Sequence, residues 1–371
     1  MSSLDRQMMS RALQIAAKGR FTSSPNPAVG CVIAMADKVV AEGYTRPAGG
    51  NHAEIEALQG CADVAGGTAY VSLEPCSHQG KTGPCADALI AAGISRVVIA
   101  CEDPNPEVAG AGIKKLKDAG LDVQVGLLEE QAREANKGFI KRQEQGTPWV
   151  TVKMAASLDG RTAMASGQSQ WITTPASRAD VQRLRAASCA IITGIGTQLM
   201  DDPSLTVRIS HADVHVEDEL RQPLRVVVDG QLQMSPTARM LQQPGDTLIA
   251  TLDGPGQRDK SAELVAAGAE VVFLPALGEH IDLQALLLNL ADRGCNQVLV
   301  EAGAGLAGGF IAEGLLDELV CYWAPKLFGH TARPMFNLPI QTIDAHLALS
   351  VQDIRQIGED IRVTLRPDKD Y

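Results

Sequence analysis

Two short motifs limit what this chain can fold into: His52-Ala53-Glu54, and Pro75-Cys76 with Cys85 beyond the intervening residues 77–84. One imidazole and two thiolates make three ligands, the count a catalytic zinc uses when its fourth position is kept for water. No Cys or His stands at CxxC spacing from Cys76 or Cys85 to close a structural site. Zinc lowers the pKa of a bound water from about 16 to roughly 7, enough for attack on an amidine-like ring carbon at neutral pH. Amide ion is too poor a leaving group, so a carboxylate must move a proton from water to the departing nitrogen. Zinc deaminases use a Glu that is not a ligand for this, within H-x-E and P-C-x-x-C signatures; Glu54 stands in that place.

The cysteine spacing is stretched relative to that signature. Two intervening residues let both thiolates project from one helical turn. With residues 77–84 between them, Cys76 must lie in a loop and Cys85 must begin a helix, expected over Ala86–Ala92 after Pro84. A thiolate at a helix start gains from the macrodipole and from free N–H groups. The intervening loop carries His78 and Lys81. It reads either as a solvated turn or as a positive rim for an anionic, phosphate-bearing substrate.

At 371 residues the chain exceeds the usual size of one core, so two domains are expected. No apolar run is long enough for a signal peptide or a membrane span, which points to a cytoplasmic protein without a membrane partner. The 8 cysteines are scattered and read as reduced thiols; Cys31, Cys101 and Cys189 lie in apolar runs and read as packing residues. Acidic residues outnumber basic ones by 44 to 33, and aromatics make up only 4%. Without a basic, aromatic-rich patch, nucleic acid is not an expected partner.

In chain order, Ser3 can cap a helix through about Lys18, and strands are expected over Ala28–Met35 and Val39–Tyr44 about a turn at Asp37-Lys38. There follow the helix Ala53–Leu58, the strand Thr68–Leu73, the Cys85 helix, the strand Arg96–Cys101, the helix Ile113–Ala119 and the strand Leu121–Val125. Such alternation describes a three-layer α/β domain with the metal motifs at strand ends. The polar run Gln143–Pro148 marks a boundary. Beyond it come a strand over Trp149–Ala156, a helix over Ala176–Ala187 and further strands at Cys189–Thr193, Leu224–Asp229, Thr247–Thr251, Glu270–Leu274, Gln297–Val300 and Glu318–Trp323. His211–Glu219 reads as a charged surface loop.

Gly303-Ala304-Gly305-Leu306-Ala307-Gly308 fits G-x-G-x-x-G between a strand and a helix running to Leu316. Too little chain follows for a standard Rossmann unit, but backbone N–H groups at such a turn still make a phosphate seat. Lys153 is a charge on an otherwise apolar strand. Gly194-Ile195-Gly196-Thr197 precedes the Asp201–Arg208 run, and Glu301 ends another apolar strand. Their shared position at strand ends and glycine turns points to one cleft.

These stretches, with Pro25-Asn26-Pro27-Ala28-Val29-Gly30, Leu73–His78 and Asp103-Pro104-Asn105-Pro106, resemble the bifunctional riboflavin-biosynthesis deaminase/reductase family of bacteria over nearly the whole chain. The resemblance implies a cytidine-deaminase-like domain over residues 1–147 and a dihydrofolate-reductase-like domain over 148–371. It implies zinc-dependent deamination of 2,5-diamino-6-(5-phosphoribosylamino)pyrimidin-4-one, then reduction of the ribosyl group to ribityl by NADPH. By motif position His52, Cys76 and Cys85 would hold one zinc and Glu54 would shuttle the proton, while Asn26, His78, Lys81 and Asn105 would contact pyrimidine or phosphate. Ala155, Trp171, Thr197, Asp201 and the turn Gly303, Ala304, Gly305, Leu306, Ala307, Gly308 and Gly309 would face NADPH. Ser169, Arg185, Leu205, Arg208 and Glu301 would face the substrate, with the two arginines suited to its phosphate. Hydride delivery to C1 of the sugar needs a protonated heteroatom, and Lys153, Glu301 or Asp201 could supply that proton. The family also implies a homodimer through the C-terminal domain. Gly305 stands where relatives often carry Thr, so an alternative keeps the deaminase and makes the C-terminal half a binding or assembly module.

Overall fold

Helix α1 (Ser3–Gly19) is capped by Ser2 and not by Ser3: the Ser2 hydroxyl accepts from Asp5 N–H at 3.1 Å, and the Asp5 carboxylate accepts from Ser2 N–H at 2.7 Å. The same carboxylate accepts from the Tyr70 hydroxyl at 2.9 Å and from Arg96 Nη1 at 2.7 Å, so the cap also ties α1 to the sheet. In this computed structural model, which describes residues 2–61, 63–77, 83–106 and 108–368, the chain divides into two compact units. One is Met1–Thr147 with Ser210–Leu220; the other is Pro148–Ile209 with Arg221–Tyr371.

The first unit is built on β1 (Gly30–Met35), β2 (Lys38–Tyr44), β3 (Thr68–Val71), β4 (Arg96–Ile99) and β5 (Asp122–Val125), in the order β2-β1-β3-β4-β5. Strand β1 is antiparallel to both its neighbours, and β3, β4 and β5 run parallel. Helices α2 (Ala53–Gln59), α3 (Cys85–Ala91), α4 (Ala111–Asp118), α5 (Glu129–Ala135) and α6 (Lys137–Gln145) complete it. Two glycines place helices on opposite faces. A Cβ on Gly30 would meet Ala12 O of α1 at 2.0 Å, and one on Gly43 would meet Ala53 O of α2 at 2.3 Å. Gly43 pairs with Cys31, the neighbour of Gly30, and adjacent strand residues face opposite ways. The unit is therefore three-layered.

Strand β1 begins at Gly30 instead of Ala28 because the side-chain amide of Asn136 takes both backbone groups of Ala28, at 2.8 and 2.9 Å. Helices α5 and α6 were not expected from the sequence, and α6 runs through much of the polar stretch that reads as a boundary. The stretch His211–Glu219 is more than a surface loop. It holds a 3-10 turn (His211–Val214), buries Val214 and Val216, and pairs Glu217 and Asp218 with Arg46 at 2.8 and 3.4 Å.

In the second unit nine strands form one sheet, in the order Glu270–Phe273, Thr247–Thr251, Leu224–Val228, Ala190–Gly194, Gln297–Val300, Trp149–Ser157, Glu318–Ala324, Asp360–Pro367 and Leu349–Ile357. The first seven are parallel. The last two make an antiparallel hairpin beyond any strand expected from the sequence. That hairpin anchors the helix Pro175–Ala187: the buried Asp360 carboxylate accepts from Thr174 N–H, Thr174 Oγ1 and Ser177 Oγ at 2.6–2.8 Å, doing the work of the missing side-chain cap at Thr174. Leu283, Leu286, Leu287, Ala307 and Phe310 from two helices pack with Val150, Val298 and Val300 of the strands.

Candidate deaminase and reductase sites

His52 is the N-cap residue of α2, Cys76 lies in the loop after β3, and Cys85 opens α3. His52 Nδ1 stands 3.6 Å from Cys76 Sγ and 3.3 Å from Cys85 Sγ, and all three donors lie within 4.8 Å of one another. A tetrahedral zinc with N and S bonds of about 2.05 and 2.3 Å separates N from S by about 3.5 Å, so the donor set fits the ion. Hydrogen bonding from Cys85, with His52 and the Cys85 N–H acting the same way, draws the Cys76 thiol down to about 4. Cys85, donating to Cys76 and buried, is pushed far up. The pair thus shares a proton that a bound cation displaces. Glu54, in the first turn of α2, is only 3% exposed. Burial, reinforced by Cys76, pushes its carboxyl up to about 7.

The surroundings of these ligands contain two residues that the sequence did not single out by role. Glu74, buried two positions before Cys76, accepts from the N–H groups of Asp103, Gly110 and Ile113 at 3.2, 3.0 and 3.0 Å. It thereby fixes the Asp103–Pro106 loop, which carries Asn105, against the ligand strand. Asn136 does the same for the Pro25–Ala28 segment carrying Asn26. A carboxylate beside an apolar strand end was the available signal for Glu74; nothing local marks Asn136. His78 and Lys81 lie outside the described residues.

The second unit holds a cavity of about 1180 Å³ across the C-terminal ends of its central strands. Lys153 and Ala155 reach it from the strand Trp149–Ser157, and Thr197 and Asp201 from the helix Ile195–Asp201. Glu301, Gly303, Ala304, Gly305 and Leu306 reach it after the strand Gln297–Val300, and Ser169, Trp171, Arg185, Leu205 and Gly309 complete the expected wall. Three expected residues are not on that wall. Ala307 is fully buried in the core, and a Cβ on Gly308 would sit 2.2 Å from Asn337 O, so both face inward. Arg208 is exposed, with its N–H donated to Gln182 at 2.9 Å. The turn seen by the cavity therefore contracts to Gly303–Leu306 with Gly309.

Gly303 is the N-cap of the helix Ala304–Ala312 and supplies no side-chain cap, and a Cβ on Gly196, Gly303 or Gly305 would meet nothing within 4 Å. Bare amides at an open helix start suit a dinucleotide phosphate, so the residues fit NADPH without a hydroxyl at Gly305. Arg185 donates to both Glu301 oxygens at 2.6 and 2.9 Å and to Thr206 O at 3.1 Å. Burial pushes Glu301 up, but Arg185, Lys153 and Arg208 bring it below the usual carboxylate range overall. Among the described residues no hydrogen bond engages the Lys153 ammonium, whose pKa desolvation lowers. The sequence reading missed Arg178, which stacks on Trp171 at 4.3 Å and donates to Thr173 O at 2.6 Å. Its spacing from Gln182 and Arg185, one helical face, was a legible signal.

Fold and site thus define a zinc-dependent, cytidine-deaminase-type domain joined to an α/β reductase-type domain. A family model described as the cytidine and deoxycytidylate deaminase zinc-binding region matches residues 2–101, and one described as the RibD C-terminal domain matches residues 148–363. The riboflavin biosynthesis protein RibD of Escherichia coli is 47% identical over 364 residues, covering 96% of this chain and 98% of that one. The solved structure of Acinetobacter baumannii RibD superposes with a TM-score of 0.90 at 40% identity, covering 99% of both chains. A Thermotoga maritima structure described as a diaminohydroxyphosphoribosylaminopyrimidine deaminase/5-amino-6-(5-phosphoribosylamino)uracil reductase gives 0.85 at 30% identity, covering 98% of this chain and 99% of that one. The chain belongs to the RibD family of riboflavin biosynthesis proteins. Both halves of the bifunctional enzyme are present, and nothing favours the alternative of a C-terminal module without reductase activity.

Proposed function

We infer that this chain deaminates 2,5-diamino-6-(5-phosphoribosylamino)pyrimidin-4-one in its first unit and reduces the ribosyl group of the product to ribityl in its second. The observation that carries the first step is the buried Glu54 carboxyl beside a three-donor His52, Cys76 and Cys85 cluster. Zinc, when bound, supplies Lewis acidity and an activated water. Glu54, with its pKa near neutrality, can take the water's proton and hand it to the leaving nitrogen. Asn26 and Asn105 sit on loops held by Asn136 and Glu74, which suits them to orient the pyrimidine.

NADPH, when bound, supplies the hydride for C1 of the opened sugar. Lys153 is the best donor of the accompanying proton. Glu301 is held by Arg185, and Asp201 is exposed at the end of its short helix, whereas the Lys153 ammonium faces the cavity without a hydrogen bond. Glu301 in turn keeps positive charge balanced where the substrate binds.

The substrate partner is a phosphorylated pyrimidine, and the location is cytoplasmic. No helix among the described residues is long and apolar enough to cross a membrane. A homodimer through the C-terminal unit is supported by the edge strand Leu349–Ile357, where Val351 and Ile354 are 56% and 64% exposed; sedimentation as a monomer at micromolar concentration would refute it. The function itself is tested on one preparation. Glu54→Gln should keep zinc and lose ammonia release while NADPH oxidation with the deaminated substrate persists; retained deamination would sink the assignment.

A further inference from the structure

The cavity of the second unit must accept ligands carrying phosphate monoesters; of the two arginines expected to read one, Arg208 is not on its wall and Arg185 is already engaged. Arg185 has its charge matched by Glu301 and donates three hydrogen bonds. Arg178 is stacked on an indole and bound to a carbonyl. A third guanidinium, Arg333, lines the same cavity. Its only hydrogen bond among the described residues runs from Nη1 to Met200 Sδ at 3.4 Å, and a thioether is a weak acceptor.

Arg333 does not hang on a free loop. It forms a two-residue strand with Pro334, paired antiparallel to Arg161–Ala163. Just before it, Phe328 and Gly329 donate their N–H groups to Asp159 at 3.1 and 2.8 Å; just after, Thr162 Oγ1 donates to Pro334 O at 3.2 Å. Gly167, at φ 91°, brings its backbone so close that a Cβ there would lie 3.3 Å from Arg333 Nη2 and 3.1 Å from the Met200 methyl. A side chain at Gly167 would crowd the guanidinium; glycine leaves its donors facing the cavity. An exposed guanidinium on a fixed backbone, with no carboxylate contact among the described residues, can recognise phosphate through paired N–H donors.

We propose that Arg333 is a phosphate-monoester contact of the reductase cleft, reading either the 5-phosphate of the substrate or the 2′-phosphate of the cofactor. This rests on the reductase reading above. The full-length chain and its Arg333→Gln and Arg333→Lys variants are titrated calorimetrically with ribose 5-phosphate, adenosine 2′,5′-bisphosphate and AMP. Arg333→Gln should weaken binding of ribose 5-phosphate or of the bisphosphate by about 10- to 100-fold, Arg333→Lys should recover part of the loss, and deamination should be unchanged. Loss with ribose 5-phosphate assigns the substrate phosphate; loss with the bisphosphate but not AMP assigns the cofactor. Unchanged affinity for both ribose 5-phosphate and the bisphosphate in Arg333→Gln overturns the proposal alone. A wild-type chain that binds neither overturns the reductase reading and the proposal with it.

Discussion

Replacing Gly43 by Ala tests whether the deaminase depends on how closely α2 lies on its sheet. The added methyl would sit 2.3 Å from Ala53 O, 2.5 Å from Ala57 N and 2.7 Å from Glu56 Cβ. Two of these are backbone atoms of α2, so no rotamer change relieves them, and the helix must retreat by about 1 Å to reach ordinary contact. The same helix presents His52 at its cap and Glu54 in its first turn. Overpacking of this size costs about 1–3 kcal/mol of stability, and a 1 Å misplacement of a catalytic group costs about 100-fold in rate. The assay is ammonia release by the full chain, with zinc content measured on the same sample. NADPH oxidation given the deaminated substrate is the internal control, because Gly43 belongs to the other unit. Gly60→Ala, whose nearest contact would be 3.3 Å, should leave deamination within about twofold. Deamination by Gly43→Ala within threefold of wild type at full zinc content would refute the claim that this approach sets the position of Glu54.

Asp5 is held well below the usual carboxylate range, first by Arg96, against the cost of burial. A depressed folded pKa contributes stability above the unfolded value of about 3.9, and loses it as pH falls further. Asp5→Asn should therefore lower stability by about 3 kcal/mol at pH 7, and denaturant curves for variant and wild type should converge toward pH 2; a gap independent of pH would contradict the ion-pair account. Lys153 is pulled below its ordinary range by burial, against the pull of Glu301. Its proton is thus lost at a lower pH than a free lysine's, and reductase kcat should fall as pH rises through that value. Lys153→Gln should cut reduction by about 10²- to 10⁴-fold, with NADPH affinity retained in a binding titration, and Lys153→Arg should move the alkaline limb upward; an unmoved limb excludes this proton donor. Chelation of the metal should abolish ammonia release, restored by added zinc, and leave NADPH oxidation unchanged; surviving deamination in the stripped chain would remove zinc from the reaction.

The parts of the fold legible in the sequence were those in which one residue feature had one physical meaning. Apolar runs such as Val97–Ile99 and Val298–Val300 are buried on both faces of parallel strands, and they read as strands without ambiguity. The hairpin Leu349–Ile357 with Asp360–Pro367 hid for the opposite reason. On Leu349–Ile357 exposed Val351 and Ile354 alternate irregularly with Gln and Arg across a bulge between Val351 and Asp353, so neither a period of two nor a buried run stands out. Helices α5 and α6 were masked by charge, since only Ala132, Gly138, Phe139 and Ile140 of the two are buried. Strand β1 shows a third kind of miss. Val29 and Ala28 are apolar enough to extend it, and only the distant Asn136 amide, invisible to local pattern, takes the backbone bonds of Ala28.

The same distinction explains the sites. Metal ligands are legible because their chemistry demands particular side chains, and His52, Cys76 and Cys85 do meet. Residue type also marks charge, but it does not say whether that charge is available. Arg185 and Glu301 each look like a ligand contact when read alone; held together by two hydrogen bonds, they become one neutral pair that shapes the wall. Their pairing leaves Lys153 as the cation without a hydrogen bond beside them, and it leaves the phosphate role to a cation such as Arg333, whose own surroundings hold no carboxylate contact among the described residues. A charged residue's role in this cleft is thus decided by which neighbour reaches it first, a property of the packed strands and turns and not of the motif that carries it.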